Sequence, residues 1–319
     1  MKLIVCGLEA LSGYVSREFY YVITELITAY GWKQIEPQAL WTGRGTVKRT
    51  LLNRFGELPE VILFWESYDF LNAYAADVSR LQCLKLIMTD DLHCQDKQAK
   101  RKQLLAFALC EVVLATYGYA WQRFCPEFSL KKIIWIPHSA SPDFMLGYNH
   151  CPANAILLSG AINRYYPLRL QMEALRSRCP ESIAYHPHPG YGRYYEYQEQ
   201  GAVGHGYALE INKYRAGFTD SLIFKYVVAK YFEIPATGAL LLADDSVSGS
   251  LSRLGFVEHQ HYVPVSSKNL EETIRYVLDE RNHGEVDQIR KRGQELVWER
   301  HKTSDRARQI NDASRGIGG

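Results

Sequence analysis

A chain of 319 residues, 47% hydrophobic and 23% charged, is long enough to bury two separate cores and is not a low-complexity protein. Its net charge of +2 supplies no bulk basic field, so nucleic acid is not expected as the main partner. The most apolar window, Leu104 to Trp121, is interrupted by Glu111, so no transmembrane segment is expected.

The opening run, MKLIVCGLEALSGY, is too short for a signal peptide, and its KLIVC (2 to 6) reads as a buried strand. Phe19, Ile23, Leu26, Ile27 and Tyr30 then recur at helical spacing until Gly31. VILFW (61 to 65), LKLIM (84 to 88), VVLAT (112 to 116) and KIIWIP (132 to 137) read as further strands. They are apolar throughout instead of alternating, which implies a parallel sheet covered on both faces. Residues 1 to 147 are therefore expected to form a doubly wound α/β domain. Turn-forming residues cluster in SPDFMLGYNHCPAN (141 to 154), and the rhythm restarts with the strand AILLSG (155 to 160). The spacing predicts helices over Tyr166 to Arg178, around Gly206 to Ala216, over Asp220 to Phe232 and over Asn269 to Glu280, with strands at SIAYH (182 to 186), ALLLAD (239 to 244) and YVPV (262 to 265). This is a second α/β domain, residues 148 to 302, and a charged helix over 303 to 315 is expected to pack back on the first. Two Rossmann-like halves imply a cleft between them, with ligands at the carboxyl ends of the strands. Seven cysteines with no C-x-x-C pair fit reduced thiols in a cytoplasmic protein better than a disulfide framework or a zinc site.

KYFEIPATGALLLADD (230 to 245) places one carboxylate, Glu233, in a stretch that is otherwise core, just ahead of a strand. A carboxylate near the strand ends suits a ribose diol, which donates two hydrogen bonds to it. Lys230 offers charge for a diphosphate and Lys225 is a second candidate, while Gly238 permits a tight turn and Pro235 stiffens the segment. The competing reading is that Glu233 caps local amides or pairs with Lys230.

These residues resemble the signature of GT-B glycosyltransferases, an Arg-x-Phe-Glu motif followed by small residues and a glycine, as found in a spore-protein-like group close to glycosyltransferase families 1 and 4 in bacteria and large DNA viruses. KIIWIPHSASPDF (132 to 144), ILLSGAINRYYPLR (156 to 169), LEINKYRAGFTD (209 to 220) and VWERHKTSDRARQI (297 to 310) are similar to other family segments in the expected order. The resemblance implies a GT-B fold, an acceptor domain followed by a donor domain, and a nucleotide-diphosphate sugar held with Glu233 on the ribose and Lys230 near the diphosphate. It implies transfer to a hydroxyl acceptor on a glycan, with no cofactor and no metal. Many family 4 relatives carry a second glutamate eight residues earlier, where this chain has Lys225, so neither the sugar contacts nor a retaining outcome carries over.

Gly160 in the loop SGAINR (159 to 164) lets backbone amides approach phosphate, and Arg164 adds charge; glycine also ends strands for purely structural reasons. YHPHPGYGRYYEYQ (185 to 198) must be a loop, because its histidines alternate with prolines. Tyr191, Tyr194 and Tyr195, with Arg193 among them and His188 beside them, offer rings on which a base or sugar can stack, which makes the loop a candidate wall of the donor site. His186 and His188 lack a third ligand at metal spacing, and His259 and His261 read as solvated. LKLIMTDDLHCQD delivers Asp90, Asp91 and His93 past a strand end. Asp91 or His93 is the candidate base for the acceptor hydroxyl, by location and by the family's use of this loop, although Asp at a strand end also caps helices. His138 in the IPHSA turn reads equally as a cleft residue or part of a hinge. No Asp-x-Asp triplet occurs, which argues against a metal-clamped diphosphate of the other main glycosyltransferase fold. A GT-B nucleotide-sugar epimerase and a non-catalytic nucleotide- or glycan-binding module are the alternatives. A Rossmann dehydrogenase is disfavoured because CGLEALSG lacks G-x-G-x-x-G spacing.

Overall fold

The computed structural model describes residues 1–40, 46–191, 194–196 and 203–315. The chain divides into two compact units, one of residues 1–12, 20–137 and 306–319, the other of residues 13–19 and 138–305. The passage between them falls at Pro137, ahead of the boundary expected at 147, because His138 to Ala140 are tied into the second unit. Ser139 bonds to Glu18, and Ala140 exchanges backbone hydrogen bonds with His301 (2.8 Å) and Thr303 (3.2 Å).

The first unit is a six-stranded, all-parallel sheet of β1 (Lys2–Val5), β2 (Lys33–Ile35), β3 (Val61–Trp65), β4 (Leu84–Thr89), β5 (Val112–Ala115) and β6 (Lys132–Trp135), in the order β2-β1-β3-β4-β5-β6. The near-continuous apolar runs are the reason these segments pair in parallel: every residue of β3 and β5 is buried, so both faces must be covered by helices. The helix Glu18–Tyr30 contributes Val22, Ile23 and Leu26 to that cover at the expected spacing. From Arg306 on, the helix Thr303–Ala313 lies in this unit, where Arg306 Nε donates to the Pro137 carbonyl (2.8 Å) and Asn311 Oδ1 accepts from Lys2 and Trp32.

The second unit is a five-stranded parallel sheet of β7 (Ala153–Ser159), β8 (Ile183–His186), β9 (Tyr214–Thr219), β10 (Leu240–Asp244) and β11 (Val263–Val265), ordered β11-β10-β9-β7-β8. Ile156, Leu158, Met172, Phe218, Leu240 and Leu242 form its core. Successive strands leave β7 in opposite directions, so the β7/β9 position is the switch point where such sheets bind ligands beyond the strand ends.

Three readings of this half change. Residues around Gly206 to Ala216 are not one helix: the helix Gly204–Asn212 gives way to β9, the central strand. Residues 220–229 are not helical, and Leu222 (φ 59°) and Lys225 (φ 61°) sit in left-handed backbone that interrupts a right-handed helix. KYFEIPA does not follow a helix; it is the helix, Lys230–Ala236. That helix lies flush on β9 because Gly217 has no side chain, and a methyl group there would come within 2.9 Å of Ile234 Cγ2.

Candidate functional site

The loop after β9 leads into the helix Lys230–Ala236, which puts Lys230 at its first position and Glu233 in the same first turn. Glu233 is 6% exposed, and its carboxylate makes no hydrogen bond or ion pair with any described residue. The competing reading, an amide cap or a pair with Lys230, is therefore not what forms. Burial raises the Glu233 carboxyl above its ordinary range; Lys230 and His138 oppose that shift, whereas Glu18 and Asp143 add to it. A carboxylate on a largely buried residue, with no donor among the described residues, is an acceptor held ready for an external one.

Beside it, at the end of β7, Gly160 adopts φ 96°, and a methyl group there would meet Arg169 Nη1 at 2.7 Å and Lys230 Cε at 3.0 Å. The glycine thus admits two cations against one stretch of backbone. Arg169, only 2% exposed, is a functional candidate that no sequence motif marks. Its Nη1 donates to the Ala161 carbonyl (3.1 Å), its guanidinium lies 4.0 Å from the centre of the Tyr166 ring, and its buried Nε has no partner among the described residues. The amides of Leu168 and Arg169, at the start of the helix Pro167–Arg176, are taken by Asp220 (2.7 and 3.1 Å). Positive charge at the β7 end therefore comes from the two side chains. Burial raises the Asp220 carboxyl, against the opposing effect of those amides and of Arg169.

His188 belongs to this group. Burial, with Lys230 and Arg169 adding repulsion, pushes its imidazole down to about 4, and its Nδ1 accepts from the Gly190 amide (2.9 Å). His186, at the end of β8, is likewise lowered, by burial first, and its ring lies 5.4 Å from that of Tyr207. Both histidines are neutral at neutral pH, which leaves the charge there to Lys230 and Arg169. Tyr191 is 56% exposed with its ring 4.4 Å from His188 and 6.3 Å from Tyr14, and Tyr194 is also exposed. Tyr195, by contrast, is buried with its hydroxyl on the carbonyls of Pro189 and Gly190. Arg193 lies outside the described residues.

Other candidates are not brought together with these. Arg164 is exposed and donates to its neighbour Tyr165. Lys225 is exposed on the left-handed segment. Gly238, φ 82°, lies beyond the far end of the helix, where its carbonyl accepts from Arg290 (3.0 Å), so its role is in the turn. His259 is exposed, whereas His261 is partly buried and accepts from the Val257 amide, which departs from the solvated reading.

A connected cluster that no local motif marked is built on Glu18. Its carboxylate accepts from the Ser139 amide (2.6 Å) and hydroxyl (2.7 Å) and lies 2.7 Å from His138 Nδ1. Arg17 grips Asp143 through both carboxylate oxygens (2.9 and 3.0 Å).

In the first unit, Asp90, Asp91 and His93 occupy the loop after β4. Asp91 is exposed, with its carboxylate 3.5 Å from His93 Nδ1, and the Asp90 amide donates to Glu66 (3.0 Å). Glu66, at the end of β3, has φ 46°. Among the described residues no group of three or more His, Cys, Asp or Glu could hold a metal ion, and no helix is long and apolar enough to cross a membrane.

Residues 171–312 match the model of a family described as glycosyl transferase-like. No curated protein matches the chain by sequence. Among solved structures, an α-glucosyltransferase in complex with UDP and a 13-mer DNA is 10% identical with a TM-score of 0.65, over 99% of this chain and 100% of that one. Anabaena Alr3699/HepE in complex with UDP and glucose is 9% identical with a TM-score of 0.63, over 99% of each. The pneumococcal O-GlcNAc transferase GtfA in complex with UDP and GlcNAc is 10% identical with a TM-score of 0.51, over 85% of this chain and 60% of that one. The chain thus spans 60% of GtfA's length, and 54% of that of TarM, another solved structure it resembles. At such identities the likenesses show the fold, two Rossmann-like domains of the GT-B kind.

Proposed function

We propose that this chain, of GT-B fold, is a glycosyltransferase that moves a sugar from a nucleotide-diphosphate sugar to a hydroxyl acceptor on a glycan without a metal ion. The observation that carries this reading is Glu233, 6% exposed and with no donor to its carboxylate among the described residues, one helical turn from Lys230. A ribose diol supplies the two missing donors. Lys230 and Arg169, converging on Gly160, supply charge for the diphosphate.

In the transfer, the acceptor oxygen bonds to the anomeric carbon and the bond from that carbon to the diphosphate oxygen breaks. The electron pair leaves with the diphosphate, whose added charge Lys230 and Arg169 stabilise. The acceptor proton goes to the Asp91–His93 pair.

The test is thermal unfolding of the full chain with UDP-, GDP- and TDP-sugars and a CMP-sugar as the monophosphate control, each in Mg²⁺ and in EDTA. Selective binding raises the melting temperature by mass action. A shift with one diphosphate sugar that survives EDTA is expected. No shift with any of them, or a shift only with Mg²⁺, would overturn the reading.

A further inference from the structure

Lys230 does not reach the Gly160 loop by itself. Its Nζ donates to the hydroxyl of Tyr207, on the helix Gly204–Asn212, and lies 4.4 Å from the centre of the same ring. The Tyr207 hydroxyl is also 2.6 Å from Ser159 Oγ, at the end of β7. A lysine ammonium only donates, so the phenol oxygen accepts from it, and the phenol hydroxyl shares a second hydrogen bond with Ser159 Oγ. The ordered relay runs Lys230 to Tyr207 to Ser159 and ends on the central sheet.

Everything that fixes this relay is buried. Tyr207 is 8% exposed and Ser159 2%, and Phe144 and His186 close on the tyrosine ring at 6.0 and 5.4 Å. His186 adds no competing positive charge, being lowered by burial. A lysine side chain is otherwise a flexible stem whose charge samples many positions. Here the phenol oxygen holds it at one.

We propose that Tyr207 is a positioning residue for the donor diphosphate: anchored by Ser159, it holds the Lys230 ammonium beside Gly160, so that the charge is in place before the nucleotide arrives. This rests on the donor reading of the Glu233 helix and adds to it the residue that fixes its cation.

The test measures dissociation constants by calorimetry for UDP, GDP and TDP, each beside its nucleoside, on the whole 319-residue chain. For the diphosphate that binds the wild type, Tyr207→Phe keeps the ring and removes the hydroxyl. It is expected to weaken binding about fivefold, the worth of one hydrogen bond, while affinity for the nucleoside stays unchanged. Lys230→Met is expected to weaken the diphosphate about thirtyfold and the nucleoside not at all. In the Lys230→Met background, Tyr207→Phe should then add nothing, because it acts through the lysine. A merely structural tyrosine would weaken nucleoside and diphosphate alike, or act additively with Lys230→Met, and either result overturns the proposal. Should Tyr207→Phe fail to fold, Ser159→Ala, which removes the anchor, is expected to give the same selectivity at about twofold, and an equal loss for both ligands overturns it. If Lys230→Met leaves the diphosphate-to-nucleoside ratio unchanged, the donor reading itself has failed; if only the Tyr207 variant does, the positioning role alone has.

Discussion

Replacing Glu233 with glutamine should make the unliganded protein more stable and the nucleotide complex weaker. The residue is 6% exposed and its carboxylate has no donor among the described residues, so ionising it in the folded state is opposed by desolvation that no internal bond offsets. Its folded pKa is raised above the ordinary 4.5, so the native state holds the proton longer than the unfolded chain does. The stability this group contributes is present in full below 4.5 and is lost as pH rises through the raised folded value. Glutamine lacks this slope, so the melting temperature of Glu233→Gln minus that of wild type should be near zero in acid and grow toward neutral pH. Binding should move the other way. Two ribose hydroxyls donating to an ionised carboxylate become one neutral bond to an amide oxygen, a loss of about 1 to 3 kcal/mol, or about five- to 150-fold in affinity. Wild-type affinity should itself fall as pH drops through the raised pKa, because the protonated acid accepts less well. Calorimetric melts across pH, with titration of the nucleotide that shifts the melting temperature, give both readouts. Equal affinity of the two proteins, together with parallel melting curves at every pH, would refute the reasoning.

Glu18→Ala removes the acceptor for the Ser139 amide and hydroxyl and the partner of His138, all buried, and should lower stability by about 3 kcal/mol, read from the melting temperature. Asp91→Asn should lower kcat by about a hundredfold or more while the donor dissociation constant holds; an unchanged kcat would remove the Asp91–His93 pair from the reaction. Gly160→Ala adds a methyl group at φ 96° against Arg169 and Lys230, and is expected to weaken the diphosphate about tenfold but not the nucleoside, measured by titration.

The strands that were legible in the sequence are those whose burial is complete and whose residues are apolar: VILFW and LLLAD announce themselves. β9 did not, although it is central, because Tyr-Arg-Ala-Gly interrupts the apolar run. Arg215 is only 7% exposed there and is neutralised by Asp287, on the helix His283–Arg300, at 3.1 Å, a partner far along the chain. The segment 220–229 carries apolar residues at helical spacing, but Leu222 and Lys225 take left-handed backbone that no residue type there demands. At the candidate site, Glu233 and Lys230 were marked by their contrast with surrounding core. Choosing Arg164 over Arg169 followed loop position. The signal that favours Arg169 was in the helical spacing, which puts it on the inward face with Leu168, Met172 and Leu175. The Glu18–His138–Ser139 cluster joins residues some 120 positions apart and leaves no local trace.

Gly217 has a wider effect than permitting a close approach. With Ile234 seated on a bare strand, the helix Lys230–Ala236 is fixed to the sheet as a short ruler whose two marks, Lys230 and Glu233, stand about 4.5 Å apart along its axis, three residues at the helical rise. On the proposed donor reading, a ligand is judged by the separation of its diol from its phosphates more than by the identity of its base. A nucleotide without a 2′-hydroxyl would leave one mark half read, and a lengthened or shortened linkage to the phosphate would miss the other.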